Sequence, residues 1–221
     1  MARVLNCDME LDTIICGDNL DVMAGMPDEC VDLVLTDPPY GKKADKGTNG
    51  FGNASNNNYI DDWDNQRVSE ESFRELFRIS KNQIIFGANY YFDYLPPTNC
   101  FIVWDKIGGY SFSNPFADVE LLWTSFSSVA KKYEYVQQGF VRKSKDVIVH
   151  PTQKPVGLVE LILRDFSCPG STVCDPFMGS GSTAIACIRT KCHYIGIELE
   201  QKYVDIARER IRQEQAQLKL F

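Results

Sequence analysis

Ser171-Thr172-Val173-Cys174-Asp175-Pro176-Phe177-Met178-Gly179-Ser180-Gly181-Ser182-Thr183-Ala184 is the stretch on which the fold depends. Its first residues read as a buried strand, and Ala184 to Thr190 reads as a helix. Glycines at the turn between them admit positive φ and let the backbone approach a ligand closely. A second strand, His193-Tyr194-Ile195-Gly196-Ile197, ends at Glu198. An acid roughly 20 residues past the glycines is placed to accept hydrogen bonds from ribose hydroxyls. This βαβ unit therefore predicts a nucleoside-cofactor site. A final helix over 201–217 puts Tyr203, Val204, Ala207 and Ile211 inward.

Such sheets ordinarily continue with a third strand, but here one helix follows Glu198. At the other end of the chain, Thr13-Ile14-Ile15-Cys16 reads as a short strand ending at Gly17-Asp18. Closing the sheet with this N-terminal strand gives a circularly permuted order. Asp18, the Gly179–Gly181 loop and Glu198 would then surround one ligand. Asp18 reads equally well as a helix cap.

The next strand is Val31-Asp32-Leu33-Val34-Leu35, and it runs into Thr36-Asp37-Pro38-Pro39-Tyr40-Gly41. Strand, short helix and strand with short links make a parallel βαβ unit. Ligands in such sheets lie outside the carboxyl ends of the strands, where Asp37 falls. Two prolines remove two N–H donors and fix φ. The carbonyls of Asp37 and Pro38 can then face a planar group that carries an –NH2, with the Tyr40 ring beside it. A rigid turn is the simpler reading of Asp-Pro-Pro-Tyr. It loses ground because the distant glycine loop supplies a matching cofactor site.

From Gly41 to about Asn65 the chain is rich in Gly, Asn, Asp and Lys, with Phe51, Tyr59 and Trp63 dotted through it. An aperiodic loop of roughly 25 residues beside a candidate site predicts a substrate-clasping lid. Ser69 caps a helix through Phe73, Leu76, Phe77 and Ile79, and a strand follows at 83–87. Strands at 100–106 and 117–123 have no helix between them, which predicts an antiparallel pair at one sheet edge. Asn89, Tyr90, Asp105 and Lys106 sit at strand ends and read as structural. Lys131, Lys132, Arg142, Lys143 and Lys145, interleaved with Tyr133, Tyr135 and Phe140, suit contact with nucleic acid. A solvated surface ribbon is the competing reading.

Composition narrows the classes. The chain of 221 residues can bury one substantial core. A net charge of −7 argues against binding nucleic acid by bulk charge and still permits a local basic face. No apolar run is long enough to span a membrane, and the N-terminus lacks a secretory h-region. Eight cysteines without a Cys-x-x-Cys pair, and only two histidines, predict buried thiols in a reducing cytoplasm and no metal site.

Together these residues resemble the amino-group DNA methyltransferases that use S-adenosylmethionine. Asp37-Pro38-Pro39-Tyr40 matches the catalytic motif and Asp175-Pro176-Phe177-Met178-Gly179-Ser180-Gly181 the cofactor loop. His150-Pro151-Thr152-Gln153-Lys154-Pro155 matches the motif just upstream of that loop. The catalytic motif precedes the cofactor loop, as in the beta class. The resemblance covers nearly the whole chain, which implies one catalytic domain over 1–221, with a mobile loop at 41–68 and a small target-recognition segment at 125–149. The implied fold is an α/β Rossmann-like methyltransferase sheet, mostly parallel with an antiparallel edge pair.

The resemblance also implies chemistry. Asp37 and the Pro38 carbonyl would accept the hydrogens of an exocyclic base nitrogen, Pro39 would hold the turn, and Tyr40 would stack on a base flipped from double-stranded DNA. Asp18, Thr152, Lys154, Asp175, Phe177, Gly179, Ser180, Gly181 and Glu198 would hold S-adenosylmethionine, with Lys154 or its neighbours at the methionine end and Glu198 at the ribose. An aspartate before Pro-Pro-Tyr points to adenine N6, and cytosine N4 is the alternative. The resemblance allows a homodimer and a place in restriction-modification.

Two readings from other classes compete. One is a nucleic-acid-binding protein without catalysis, which the intact motifs oppose. The other is a nicotinamide enzyme, because Gly179-x-Gly181-x-x-Ala184 fits the loose dinucleotide fingerprint. That second reading leaves Asp37 without a job, and no strand follows Glu198.

Overall fold

The computed structural model describes residues 9–41, 67–110, 117–138, 141–142 and 153–218. The predicted lid therefore lies almost wholly outside the described residues, as do Lys143, Lys145 and Thr152. In chain order the elements are β1 (Thr13–Cys16), α1 (Asn19–Ala24), β2 (Val31–Thr36), α2 (Glu70–Ile79), β3 (Ser80–Phe86), β4 (Ile102–Asp105), β5 (Val119–Thr124) and β6 (Lys131–Glu134). They continue with β7 (Gln137–Gln138), β8 (Val141–Arg142), α3 (Val156–Phe166), β9 (Thr172–Asp175), α4 (Ser182–Thr190), β10 (His193–Glu198) and α5 (Gln201–Leu218).

Eight strands form one sheet in the order β1-β10-β9-β2-β3-β5-β4-β6. β1 pairs in parallel with β10, in register Thr13 with Ile195 through Cys16 with Glu198. The N-terminal strand thus fills the third place, as the permuted order requires. β9 lies between β10 and β2, parallel to both.

β5 is antiparallel to both β3 and β4, so it alone opposes the direction of the other seven strands. The expected antiparallel pair is present, but it is not the edge. β6 adds outside β4, in parallel, and takes that place. The charged residues of Lys131-Lys132-Tyr133-Glu134 obscured this strand in the sequence. Charged residues are common on edge strands because they discourage pairing with another chain.

Side chains alternate across the sheet. Leu33, Leu35, Ile84, Phe86, Leu122 and Val173 pack on one face under α3, α4 and α5. Val34, Ile85, Trp123, Cys174 and Ile195 pack on the other under α1 and α2. Burial on both faces explains the nearly continuous apolar runs of β2 and β9. α2 begins where Ser69 Oγ accepts the Ser72 amide at 3.2 Å, and it buries Phe73, Leu76 and Ile79. No helix among the described residues is long and apolar enough to cross a membrane.

Candidate active site

The carboxyl ends of β1, β2, β9 and β10 rim a cavity of about 370 Å³. Asp18, Asp37, Lys154, Asp175, the Gly179–Ser180 turn and Glu198 all line it. Two segments 138 positions apart in sequence (37 and 175) thus meet because their strands are neighbours.

The cofactor-loop half is built from backbone. Gly179 and Gly181 have φ of +52° and +85°, where a side chain is strained. A Cβ on Gly181 would lie 2.9 Å from Ala207 Cβ, so the loop can pack on α5 only with glycine there. A Cβ on Gly179 would meet only Phe177 O, at 4.0 Å. Glu198 secures the loop from β10: its Oε2 accepts the Gly179 amide at 2.8 Å and its Oε1 the Glu200 amide at 2.9 Å. Burial raises the Glu198 pKa against those two amides, which lower it. Each carboxylate oxygen retains a lone pair for a further donor.

Asp175 lines the cavity and also holds the turn beside it. It is buried, and its oxygens accept Thr36 Oγ1 at 2.7 Å, Thr183 Oγ1 at 2.6 Å and the Phe177 amide at 3.1 Å. It ties the end of β2 to the start of α4 and shapes the turn between them. Burial pushes its pKa up to about 6, opposed by those three donors. Ser180 is likewise occupied: its hydroxyl lies 3.3 Å from Gln153 Oε1 and 2.9 Å from Arg210 Nη1. Asp18 caps α1, its Oδ1 accepting the Leu20 amide at 2.8 Å, while also lining the cavity.

The Asp37 half is built from charges. Lys154 Nζ lies 2.5 Å from Asp37 Oδ2 and 3.2 Å from Glu120 Oε1. Lys106 Nζ holds the far oxygen of Glu120, Oε2, at 2.9 Å. The Tyr40 hydroxyl donates to Asp37 Oδ1 and lies 3.2 Å from Glu120 Oε1. Burial pushes the Asp37 pKa up and Glu120 adds to this, while Lys154 opposes it. Burial works against the Lys154 ammonium, but Asp37 and Glu120 outweigh it and raise its pKa. Glu120, despite burial, is held down by Lys154 and Lys106. Burial and the two carboxylates keep Tyr40 a neutral phenol.

The backbone around Asp37 is equally determined. The Pro39 carbonyl accepts the Tyr91 hydroxyl. Among the described residues the buried Pro38 carbonyl accepts no hydrogen bond. The Tyr40 ring stacks on Tyr90 with centroids 4.6 Å apart. Gly87 makes room for it: a Cβ there would lie 2.2 Å from Tyr40 Cε1. A backbone bridge joins Tyr40 to Arg67, so the stems of the segment between them lie side by side.

The candidate nucleic-acid lysines divide. Lys131 and Lys132 stand in β6 and are charge-paired, to Asp165 Oδ2 at 2.8 Å and Asp105 Oδ2 at 2.7 Å. Arg142 lies in β8, which pairs with β7, and its side chain is outside the described residues. Sequence reasoning missed Glu120 and treated Lys106 as structural. The signal for both was β5: a strand that reverses direction starts at the edge where its neighbours end. Glu120, near its start, and Lys106, just past the end of β4, therefore both reach Asp37's surroundings.

Known proteins resemble this chain in sequence and fold. Residues 103–209 match the family model described as DNA methylase. The type II methyltransferase M.HinfI of Haemophilus influenzae is 28% identical, over 92% of this chain and 69% of that protein. Among solved structures, a Thermus thermophilus protein complexed with S-adenosyl-L-methionine aligns with a TM-score of 0.59 at 21% identity, covering 91% of this chain and 93% of that one. The PvuII DNA methyltransferase, described as cytosine-N4-specific, aligns with a TM-score of 0.60 at 16% identity, covering 91% and 90%. Both share the fold.

Proposed function

We propose that the chain, whose residues 103–209 match the family model described as DNA methylase, transfers a methyl group from S-adenosylmethionine to the N6 amino group of adenine in DNA. The observation that carries this reading is the single cavity shared by Asp37 and the glycine loop. Neither half alone would specify a methyl transfer.

The residues present suit that cofactor. Asn19 Oδ1 and Ser182 Oγ belong to cavity-lining residues and have no hydrogen-bond partner among the described residues. Such orphaned polar atoms are uncommon in native proteins unless a ligand or water satisfies them. The turn at Gly179 leaves open space where a side chain would stand. Glu198 would hold the ribose, and Asp18, Phe177 and the Gly179–Gly181 backbone would enclose the rest. When bound, the cofactor supplies an electrophilic methyl group on a sulfonium.

Everything else falls to the chain's own groups. An exocyclic amine is a poor nucleophile because its lone pair is delocalised into the ring. The Asp37 carboxylate and the Pro38 carbonyl accept its two hydrogens and leave the lone pair aimed at the methyl, which is positioning plus electrostatic stabilisation. Asp37 then receives the proton. Tyr40, held on Tyr90, offers an aromatic face to a base turned out of the duplex. Lys154 moves from the methionine end to the reacting end in this reading, because Asp37 and Glu120 already hold its ammonium.

Aspartate in the Asp37 position supports adenine over cytosine. The test is to incubate duplex DNA with the protein and methyl-labelled S-adenosylmethionine, digest to nucleosides and weigh them. Labelled N6-methyladenine is expected. Labelled N4-methylcytosine would overturn the base assignment, and no label would overturn the activity.

A further inference from the structure

Glu120 is the member of the site that no motif explains. It stands near the start of the one reversed strand, with its side chain only 12% exposed. It shares Lys154 with Asp37, at 3.2 Å against 2.5 Å, and Lys106 anchors its other oxygen at 2.9 Å. Lys154 is itself enclosed, with Nζ 5.2 Å from the Phe86 ring centroid and 5.8 Å from that of Tyr40.

This arrangement meets two requirements of the proposed reaction. Asp37 already accepts Tyr40 on one oxygen and Lys154 on the other, so an incoming amino group must crowd in at a remaining lone pair beside one of those donors. And once Asp37 takes a proton, Lys154 loses its nearest counter-charge in a largely buried place. A buried unpaired ion is strongly destabilising. A second carboxylate within reach of the same ammonium removes both difficulties, because Lys154 has only to lean from one acceptor to the other.

Resting on the methyl-transfer reading, we propose that Glu120 is a positioning residue, the alternative acceptor that holds the Lys154 ammonium while Asp37 engages the target amino group and takes its proton. The N–CH3 bond forms as the S–CH3 bond breaks, and the electron pair of the latter stays on sulfur as a neutral thioether. One amino proton passes to Asp37, which becomes a neutral carboxyl. Lys154 keeps its proton throughout and ends on Glu120. The positive charge lost from sulfur reappears as the unbalanced charge of this network. Lys106 keeps Glu120 turned so that Oε1 faces Lys154. The charged and titratable groups facing Asp37 are Tyr40, Lys154, Glu120 and, from β9, Asp175.

Shared acceptors have a signature that needs no catalysis. Asp37→Asn and Glu120→Gln each leave Lys154 one carboxylate, and the double variant leaves none. Each single variant is expected to melt within about 3 °C of the wild type, and the double variant about 5 °C or more below the sum of the single shifts. Additive melting would overturn the proposal. For the reaction itself, Glu120→Gln is expected to slow single-turnover methyl transfer to DNA about 30-fold, with cofactor affinity by calorimetry unchanged within about twofold. The acid limb of its pH–rate profile should move to lower pH, because one negative charge facing Asp37 is gone. Glu120→Asp should recover part of the rate. A slower variant whose acid limb stays in place and whose melting falls in parallel would overturn the positioning role. Wild-type protein that labels no base refutes the methyl-transfer reading, and the melting cycle then still decides whether Lys154 has two acceptors.

Discussion

The two halves of the cavity are made from different materials. At the end of β9 the site is backbone: two left-handed glycines, a tight turn, and amides pinned by Glu198. At the end of β2 it is side-chain charge: Asp37, Lys154, Glu120 and Lys106 in alternating sign. The first half comes from one short segment and its next strand. The second comes from four segments that only the sheet brings together. A backbone cradle suits a ligand whose shape never varies. A chain of ion pairs suits a place where a proton arrives and charge must be rearranged.

Substitutions can break this contrast. The largest effect is expected at Asp37→Ala, which should cut methyl transfer at least about 10³-fold, roughly 4 kcal/mol of transition-state stabilisation, while leaving cofactor affinity nearly intact. Equal loss of both, measured by isotope transfer and calorimetry, would erase the distinction between the halves.

Asp175 separates its structural role from catalysis. Its pKa is raised in the fold to about 6 from an ordinary value of 3.8, so between those values the folded state binds more protons than the unfolded one. Stability must therefore fall as pH rises from about 4 to about 6 and level off above, by about 3 kcal/mol from this group. Asp175→Asn should remove that component, which urea unfolding at about pH 4.5 and about pH 7 will reveal. Identical pH dependence in both proteins would refute it.

Gly181→Ala should cost about 2 kcal/mol of stability, since the residue adopts φ +85° and its new methyl meets Ala207. Thermal melting measures it, and an unchanged transition would show that the loop can relax away from α5. The smallest effect is expected at Glu198→Ala, which should weaken cofactor binding about tenfold and leave the rate at saturating cofactor nearly unchanged. Unchanged affinity by calorimetry would remove Glu198 from the ribose.

Legibility in the sequence follows the same divide. The β9 half was readable because each requirement is local: glycine for positive φ, an acid at the end of the next strand, apolar runs for a sheet buried on both faces. The permuted closure was readable too, since β1 reads as a strand ending in Gly17-Asp18 that can lie beside the strand ending in Glu198. The Asp37 half was readable only at Asp37 and Lys154, inside their motifs. Glu120 and Lys106 carry no local mark that separates them from any charged residue near a strand end. β6 was hidden for a related reason. Its lysines read as a basic ribbon until the structure paired them with Asp105 and Asp165.

Short-range signals along the chain are enough to specify the parallel βαβ units, the wrap of the N-terminal strand onto β10, and the two motifs that end on one edge of the sheet. These follow from periodicity, turn chemistry and the right-handed crossover, all of which act over short stretches of chain. Which charges face Asp37, how Asp175 shapes the turn, and the sharing of Lys154 between two carboxylates came only with the folded arrangement of the strands. Ionic and hydrogen-bonded partners are chosen by proximity in space and by exclusion from water. Both of those exist only once the strands have taken their order.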